Sequence, residues 1–131
     1  QVLHVNLTAP FVLTRTLFPF LRESEDGSVI FTSSGVGRQG RAFWGAYAVS
    51  KFATEGLMET LADEVGAGQR LRFNAVNPGA TRTAMRAQAY PAEDPGTLRT
   101  PEEIVGTYLY LLGPDSRDEN GRSFDAQPPR K

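Results

Sequence analysis

The chain has 131 residues, a formal net charge of −1, one histidine and no cysteine. With 40% hydrophobic and 22% charged residues, it reads as a single globular domain with a real core rather than a disordered segment. Disulfides, cysteine-ligated zinc and thiol catalysis are excluded, and the charge balance gives no electrostatic draw to nucleic acid or an anionic membrane.

Val2 to about Arg22 reads as a helix. Leu3, Leu7, Phe11 and Phe18 share one face, while Val5, Val12, Leu13, Leu17 and Phe20 lie on others. A helix apolar nearly all round is expected to be buried on several sides. A membrane span needs about 20 apolar residues, and Asn6, Pro10 and Arg15 interrupt this one. His4, in the first turn, reads as an ordinary polar helix residue and not as a catalytic base. Gln1 begins inside a helical pattern, so the natural N-terminus is expected upstream.

Glu23 to Gly27 is a polar turn, and Ser28 to Thr32 is a continuous apolar run of the kind found in buried parallel strands. It stops at Ser33-Ser34-Gly35 and leads into a loop rich in glycine and arginine, up to Gly45. A second helix is expected from about Trp44 to Val65, stopped by Gly66-Ala67-Gly68. Leu71 to Val76 is the second strand, ending at Asn77-Pro78-Gly79. Gly79 to Arg99 has no clear period. Stretches longer than about 12–15 residues are usually functional or mobile, so this one is a candidate lid and substrate loop. Thr100-Pro101-Glu102-Glu103 is a capping box with proline at the first helical position, and its helix is expected to end at Gly113-Pro114. A short strand near Ser123-Phe124-Asp125 and a basic, proline-containing tail close the chain. Strands alternating with helices argue for βαβ units and a parallel sheet. Ligands of such sheets bind at the carboxyl ends of the strands, where Ser34 and Asn77-Pro78-Gly79 fall.

Tyr47 and Lys51 stand four residues apart in G-A-Y-A-V-S-K, thirteen positions after Ser34. On a helix this spacing puts the two side chains on one face, with Cβ atoms about 5–6 Å apart. A free tyrosine holds its proton to a pKa of ~10, and a neighbouring ammonium favours the phenolate. The pair therefore has the makings of a general acid and base, with the Ser34 hydroxyl available to hold its target. Alone, Y-x-x-x-K describes equally well a packed aromatic beside a solvated lysine.

Four segments in order carry more weight: Val5-Asn6-Leu7, the strand ending at Ser34, Tyr47 with Lys51, and Asn77-Pro78-Gly79. Together they resemble the short-chain dehydrogenase/reductase family over nearly the whole chain. The runs F-T-S-S-G-V-G-R-Q-G-R-A-F-W-G-A-Y-A-V-S-K and F-D-A-Q-P look like its bacterial YciK-type branch. The resemblance implies an α/β, Rossmann-like, doubly wound parallel sheet, of which this chain holds three of seven strands as the catalytic C-terminal half. It implies a proton donor at Tyr47, a substrate-oxygen ligand at Ser34, and a ribose-holding cation at Lys51. It implies a fourth catalytic residue, Asn6, that holds a relay water; the plain reading of Asn6 is a helix residue bonding its own backbone. Ser33 would point to the other face of the strand. Nicotinamide contacts are implied at Pro78, Gly79, Thr81 and Thr83, alongside Tyr47 and Lys51.

The implied function is NAD- or NADP-dependent hydride transfer between nicotinamide and a carbonyl or alcohol substrate. The implied setting is the cytoplasm, in a homodimer or homotetramer of the full-length protein. The family's glycine-rich turn for the cofactor pyrophosphate, G-x-G-x-x-G, does not occur in the chain. The chain alone is therefore expected to be inactive, and the choice between NAD and NADP is not readable from it. Three other readings stand beside this one. A noncatalytic dinucleotide sensor would not need the proton relay. A sugar epimerase or dehydratase shares Y-x-x-x-K. An RNA-binding use of Gly37 to Trp44 would rest on one arginine- and aromatic-containing run.

Overall fold

The structure, a computed structural model, describes residues 1–128. A π-helical stretch, His4–Thr8, runs directly into α1 (Ala9–Glu23). There follow β1 (Gly27–Thr32), α2 (Gly45–Val65), β2 (Leu71–Asn77), α3 (Ala84–Ala89), α4 (Pro101–Ile104), α5 (Gly106–Leu112) and β3 (Arg122–Asp125). Among the described residues the strands form one parallel sheet in the order β1-β2-β3, with Val29 opposite Phe73 and Val76 opposite Phe124. Helices cover both faces, so the expected Rossmann-like, doubly wound parallel architecture is what the chain adopts.

The central strand explains the layering. Leu71, Phe73 and Ala75 of β2 point to the α1/α2 side and form the core with Phe31, Met58 and Ala62. The Phe73 ring is fully buried between those of Phe18 and Phe31, with centroids 6.3 and 6.4 Å away. Phe73→Ala in the full-length protein is expected to cost about 3–5 kcal/mol, the usual range for emptying a buried aromatic site. A shift in the denaturant midpoint at constant slope measures it; an unchanged midpoint would deny this ring its place at the centre of the core.

The opposite face of β2 carries two buried polar side chains, Arg72 and Asn74. The buried Arg72 guanidinium donates to the carbonyls of Leu111 and Gly113 at the end of α5, and pairs with Asp26. The hydrogen bond from Arg72 holds the Asp26 carboxyl below the usual carboxylate range. The fully buried Asn74 amide donates to the carbonyl of Glu119 and accepts from the backbone of Arg122, tying β2 to the approach of β3.

Three sequence expectations change. The first helix is not buried on several sides in this chain: Leu13 is 60% and Phe20 70% exposed. One sheet face covers only the stripe containing Thr14, Phe18 and Leu21, and the remaining apolar residues face outward. The helix after Thr100 begins on the expected capping box but is interrupted at Val105, where α4 gives way to α5. Gly106, a poor helix former, stands at that break. The stretch from Gly79 to Arg99 is not structureless. It holds α3, capped by the Thr83 hydroxyl, and a bidentate Arg86–Glu93 pair. A helix of six residues is too short to reveal its period in sequence. Of the basic tail, residues 129–131 lie outside the described residues.

Candidate functional site

β1 runs out at Thr32, and the chain turns across its carboxyl end. Ser33 is buried inward, with its hydroxyl unpartnered among the described residues, while Ser34 is half-buried. The loop then lies flat on α2. A Cβ on Gly37 would come within 2.8 Å of the Lys51 carbonyl oxygen, so only glycine permits that approach. This contact carries the loop back to the first turn of α2, where Tyr47 stands. Ser34 and Tyr47 line the same cavity of about 1120 Å³, together with Pro78, Gly79, Thr81 and Thr83.

Lys51, one turn beyond Tyr47, lies behind the cavity wall. Its Nζ is 5.6 Å from the Tyr47 ring centroid and donates to the Thr32 carbonyl at 2.8 Å. Burial pushes its pKa down from the ordinary lysine value. Asn6 also stands outside the lining, in the π-helical stretch. Its Nδ2 donates to Ser50 Oγ at 3.1 Å, and its carbonyl accepts from Thr54 Oγ1 at 3.4 Å. It therefore reaches across to α2 instead of bonding its own helix. Single π-helical turns inside helices often mark functional positions.

The turn after β2 is tightly held. Gly79 adopts a left-handed φ of 71°, and its N–H donates to Asn77 Oδ1 at 3.1 Å. Thr81 is buried, and its hydroxyl bonds the carbonyls of Pro78 and Gly79 within the turn. Thr83 accepts from the Arg86 N–H at 3.2 Å as the cap of α3.

Several residues here escaped the sequence reading. Trp44 stacks at an angle on Tyr47 and Tyr90, with centroids 5.6 and 6.3 Å away, and forms an aromatic wall beside the phenol. Arg38 fastens the glycine-rich loop to β3 by hydrogen bonds to Ser123 and both Asp125 carboxylate oxygens, and it pairs with the buried Glu55. An arginine so engaged is not a free hand for nucleic acid. Gln127 donates to the carbonyls of Pro78 and Ala80. The signal for the Arg38 and Gln127 contacts lay in F-D-A-Q, which closes the last strand and so must lie at the carboxyl edge of the sheet.

A serine and a tyrosine thus face one cavity at the carboxyl ends of parallel strands, with a lysine beneath the ring. The model of the short chain dehydrogenase family matches residues 1–94. The chain belongs to the short chain dehydrogenase family. It is 62% identical to the uncharacterized oxidoreductase YciK of Escherichia coli K12, over all of this chain and 51% of that protein. It is 33% identical to a 3-oxoacyl-(acyl-carrier-protein) reductase of Thermotoga maritima, over 92% of this chain and 52% of that protein. A crystal structure of a short chain dehydrogenase from Shigella flexneri 2a strain 301, complexed with NADP, superposes with a TM-score of 0.92 at 60% identity, covering 96% of this chain and 52% of that one. The chain thus spans about half the length of the family members it matches. Among the described residues no helix is long and apolar enough to cross a membrane, and no group of acidic and histidine side chains could hold a metal ion.

Proposed function

We propose that the full-length protein is a nicotinamide-dependent oxidoreductase that interconverts a carbonyl and an alcohol, with Tyr47 as general acid in reduction and general base in oxidation. The observation that carries this reading is the meeting of Ser34 and Tyr47 on one cavity, brought there by a loop that glycine at 37 lets pack on α2. The cavity is of the size that takes a small ligand together with part of a cofactor. Its Pro78-to-Thr83 rim offers backbone groups and a threonine hydroxyl suited to a carboxamide. A bound nicotinamide supplies or accepts the hydride. The NADP complex of a protein 60% identical to this chain supports the phosphorylated form as cofactor.

In reduction, the Ser34 hydroxyl donates to the substrate oxygen and fixes its distance from Tyr47. As the carbonyl carbon gains hydride, the oxygen takes the Tyr47 proton. Lys51 supplies the positive charge beside the phenolate so formed and orients the ribose. Asn6, through Ser50 and the first turns of α2, holds the place where a relay water returns the proton. The outward apolar residues of α1 and α2 support a two-fold homodimer or homotetramer, because a self-complementary face must be covered by its copy.

The test is oxidation of NADPH or NADH by the full-length protein against a panel of aldehydes and ketones. Lack of turnover together with lack of binding to either nucleotide would overturn the reading. Lys51→Ala is expected to lower kcat and also to weaken cofactor binding, since the ammonium serves both the phenolate and the ribose. Equal dissociation constants for variant and parent would remove the ribose role. The 131-residue chain by itself is expected to bind NADP only in the millimolar range or weaker, for it has no glycine-rich pyrophosphate turn. Micromolar affinity in calorimetry would mean that the main binding surface lies within these residues.

A further inference from the structure

The turn that lines the cavity after β2 is held from outside the cavity by one side chain. Gln127, two residues beyond the end of β3, donates from Nε2 to the Pro78 carbonyl at 2.7 Å and the Ala80 carbonyl at 3.1 Å, and it lies 3.4 Å from Thr81 Oγ1. Two carbonyl oxygens facing one amide group fix which end is nitrogen, because an oxygen there would meet only acceptors. The contact is close on the glycine as well: a Cβ at Gly79 would come 3.2 Å from Gln127 Nε2. The same short segment holds the other side of the turn. The Ala126 N–H donates to the Asn77 carbonyl at 2.9 Å, and Asp125 accepts from Asn77 Nδ2 at 2.8 Å. Asp125 also takes Arg38, which secures the loop behind Ser34.

We propose that Gln127 is a positioning residue for the nicotinamide end of the cofactor: by bridging the carbonyls of Pro78 and Ala80 it sets the shape of the turn that receives the carboxamide. This rests on the reading that Pro78 to Thr83 forms the nicotinamide rim. Gln127 does not itself line the cavity, so its effect passes through the backbone of the turn. It should act on the nicotinamide half of the ligand and leave the adenine half alone. That separation is what a purely structural residue could not produce.

The experiment compares Gln127→Ala and Gln127→Glu in the full-length protein. Two probes are titrated by calorimetry: NADP, and 2′,5′-ADP, which carries the adenine half without nicotinamide. Gln127→Ala is expected to weaken NADP about five- to tenfold, the size of one net hydrogen bond, with 2′,5′-ADP unchanged. Gln127→Glu keeps the shape but turns a carboxylate against two carbonyl oxygens, so it should weaken NADP more than alanine does, again with 2′,5′-ADP unchanged. Parent-like NADP affinity in both variants would overturn the inference while the cofactor reading stood. Equal losses for both probes would also overturn it, since the side chain would then serve the whole fold. A parent that bound neither probe would remove the cofactor reading itself, and this inference with it.

Discussion

Tyr47→Phe in the full-length protein is expected to lower kcat by about 10²–10⁴-fold, the usual worth of a general acid, with cofactor affinity nearly unchanged. Only the hydroxyl is lost. The ring keeps its place against Trp44, and the Lys51 contact to the Thr32 carbonyl does not involve the phenol oxygen. The expected loss therefore falls on proton transfer and not on the architecture of the site. Turnover of the carbonyl substrate measures the first part, and NADP titration the second. A Phe variant that kept more than about a tenth of parental kcat would remove Tyr47 from the chemistry, for general acid catalysis is worth more than that. A variant inactive because it no longer bound NADP would instead make Tyr47 a binding residue.

Much of the frame was legible in the sequence, because its signals are local. The run from Ser28 to Thr32 is apolar because β1 is sandwiched, and Leu71 to Asn77 is nearly all buried because β2 lies between two strands and two helix layers. The capping box at Thr100 names its own helix start, since both of its hydrogen bonds close within four residues. Ser34 and Tyr47 were picked out by their order and spacing, Pro78, Gly79, Thr81 and Thr83 by the family resemblance, and all six line one cavity. What was not legible depends on contacts between distant segments. Asn6 was picked out by family pattern alone. That it bonds Ser50, 44 residues away, follows from the crossing of α1 and α2 and from no feature of V-N-L. Gln127 and Asp125 were noted only as part of F-D-A-Q-P. Their partners at Pro78, Asn77 and Arg38 are 48 to 87 residues distant, joined only when β3 takes its place beside β2. α1 was expected to be buried on several sides; in this chain by itself the sheet covers one side, and Leu13 and Phe20 remain on a surface that only a further partner could cover.

That uncovered surface yields the second large effect. The 131-residue chain on its own is expected to form soluble oligomers or precipitate at micromolar concentration. Two features drive it. On α1, Phe11, Leu13, Leu17 and Phe20 are exposed, and on α2 so are Val49 and Phe52, which together make a broad apolar surface. Each such side chain contributes about 1.5–3 kcal/mol when fully buried, so even partial cover by a second copy outweighs much of the entropic cost of association. The other feature is β1. It pairs with β2 along one edge and with no strand among the described residues on the other, so a row of N–H and C=O groups on an apolar strand is open to pairing. The two causes separate by substitution. Phe20→Glu with Val49→Lys puts charge on the helix face and leaves the strand edge untouched. If the helices dominate, light scattering from the doubly substituted chain should fall to that of a monomer. If the open edge dominates, scattering should persist and grow with thioflavin-positive, strand-rich material. In the full-length protein the same pair of substitutions should split the two-fold assembly into smaller units without lowering NADP affinity. A parental 131-residue chain that stayed a monodisperse monomer in light scattering would refute both causes at once, because it would show that neither the helix face nor the strand edge requires a partner.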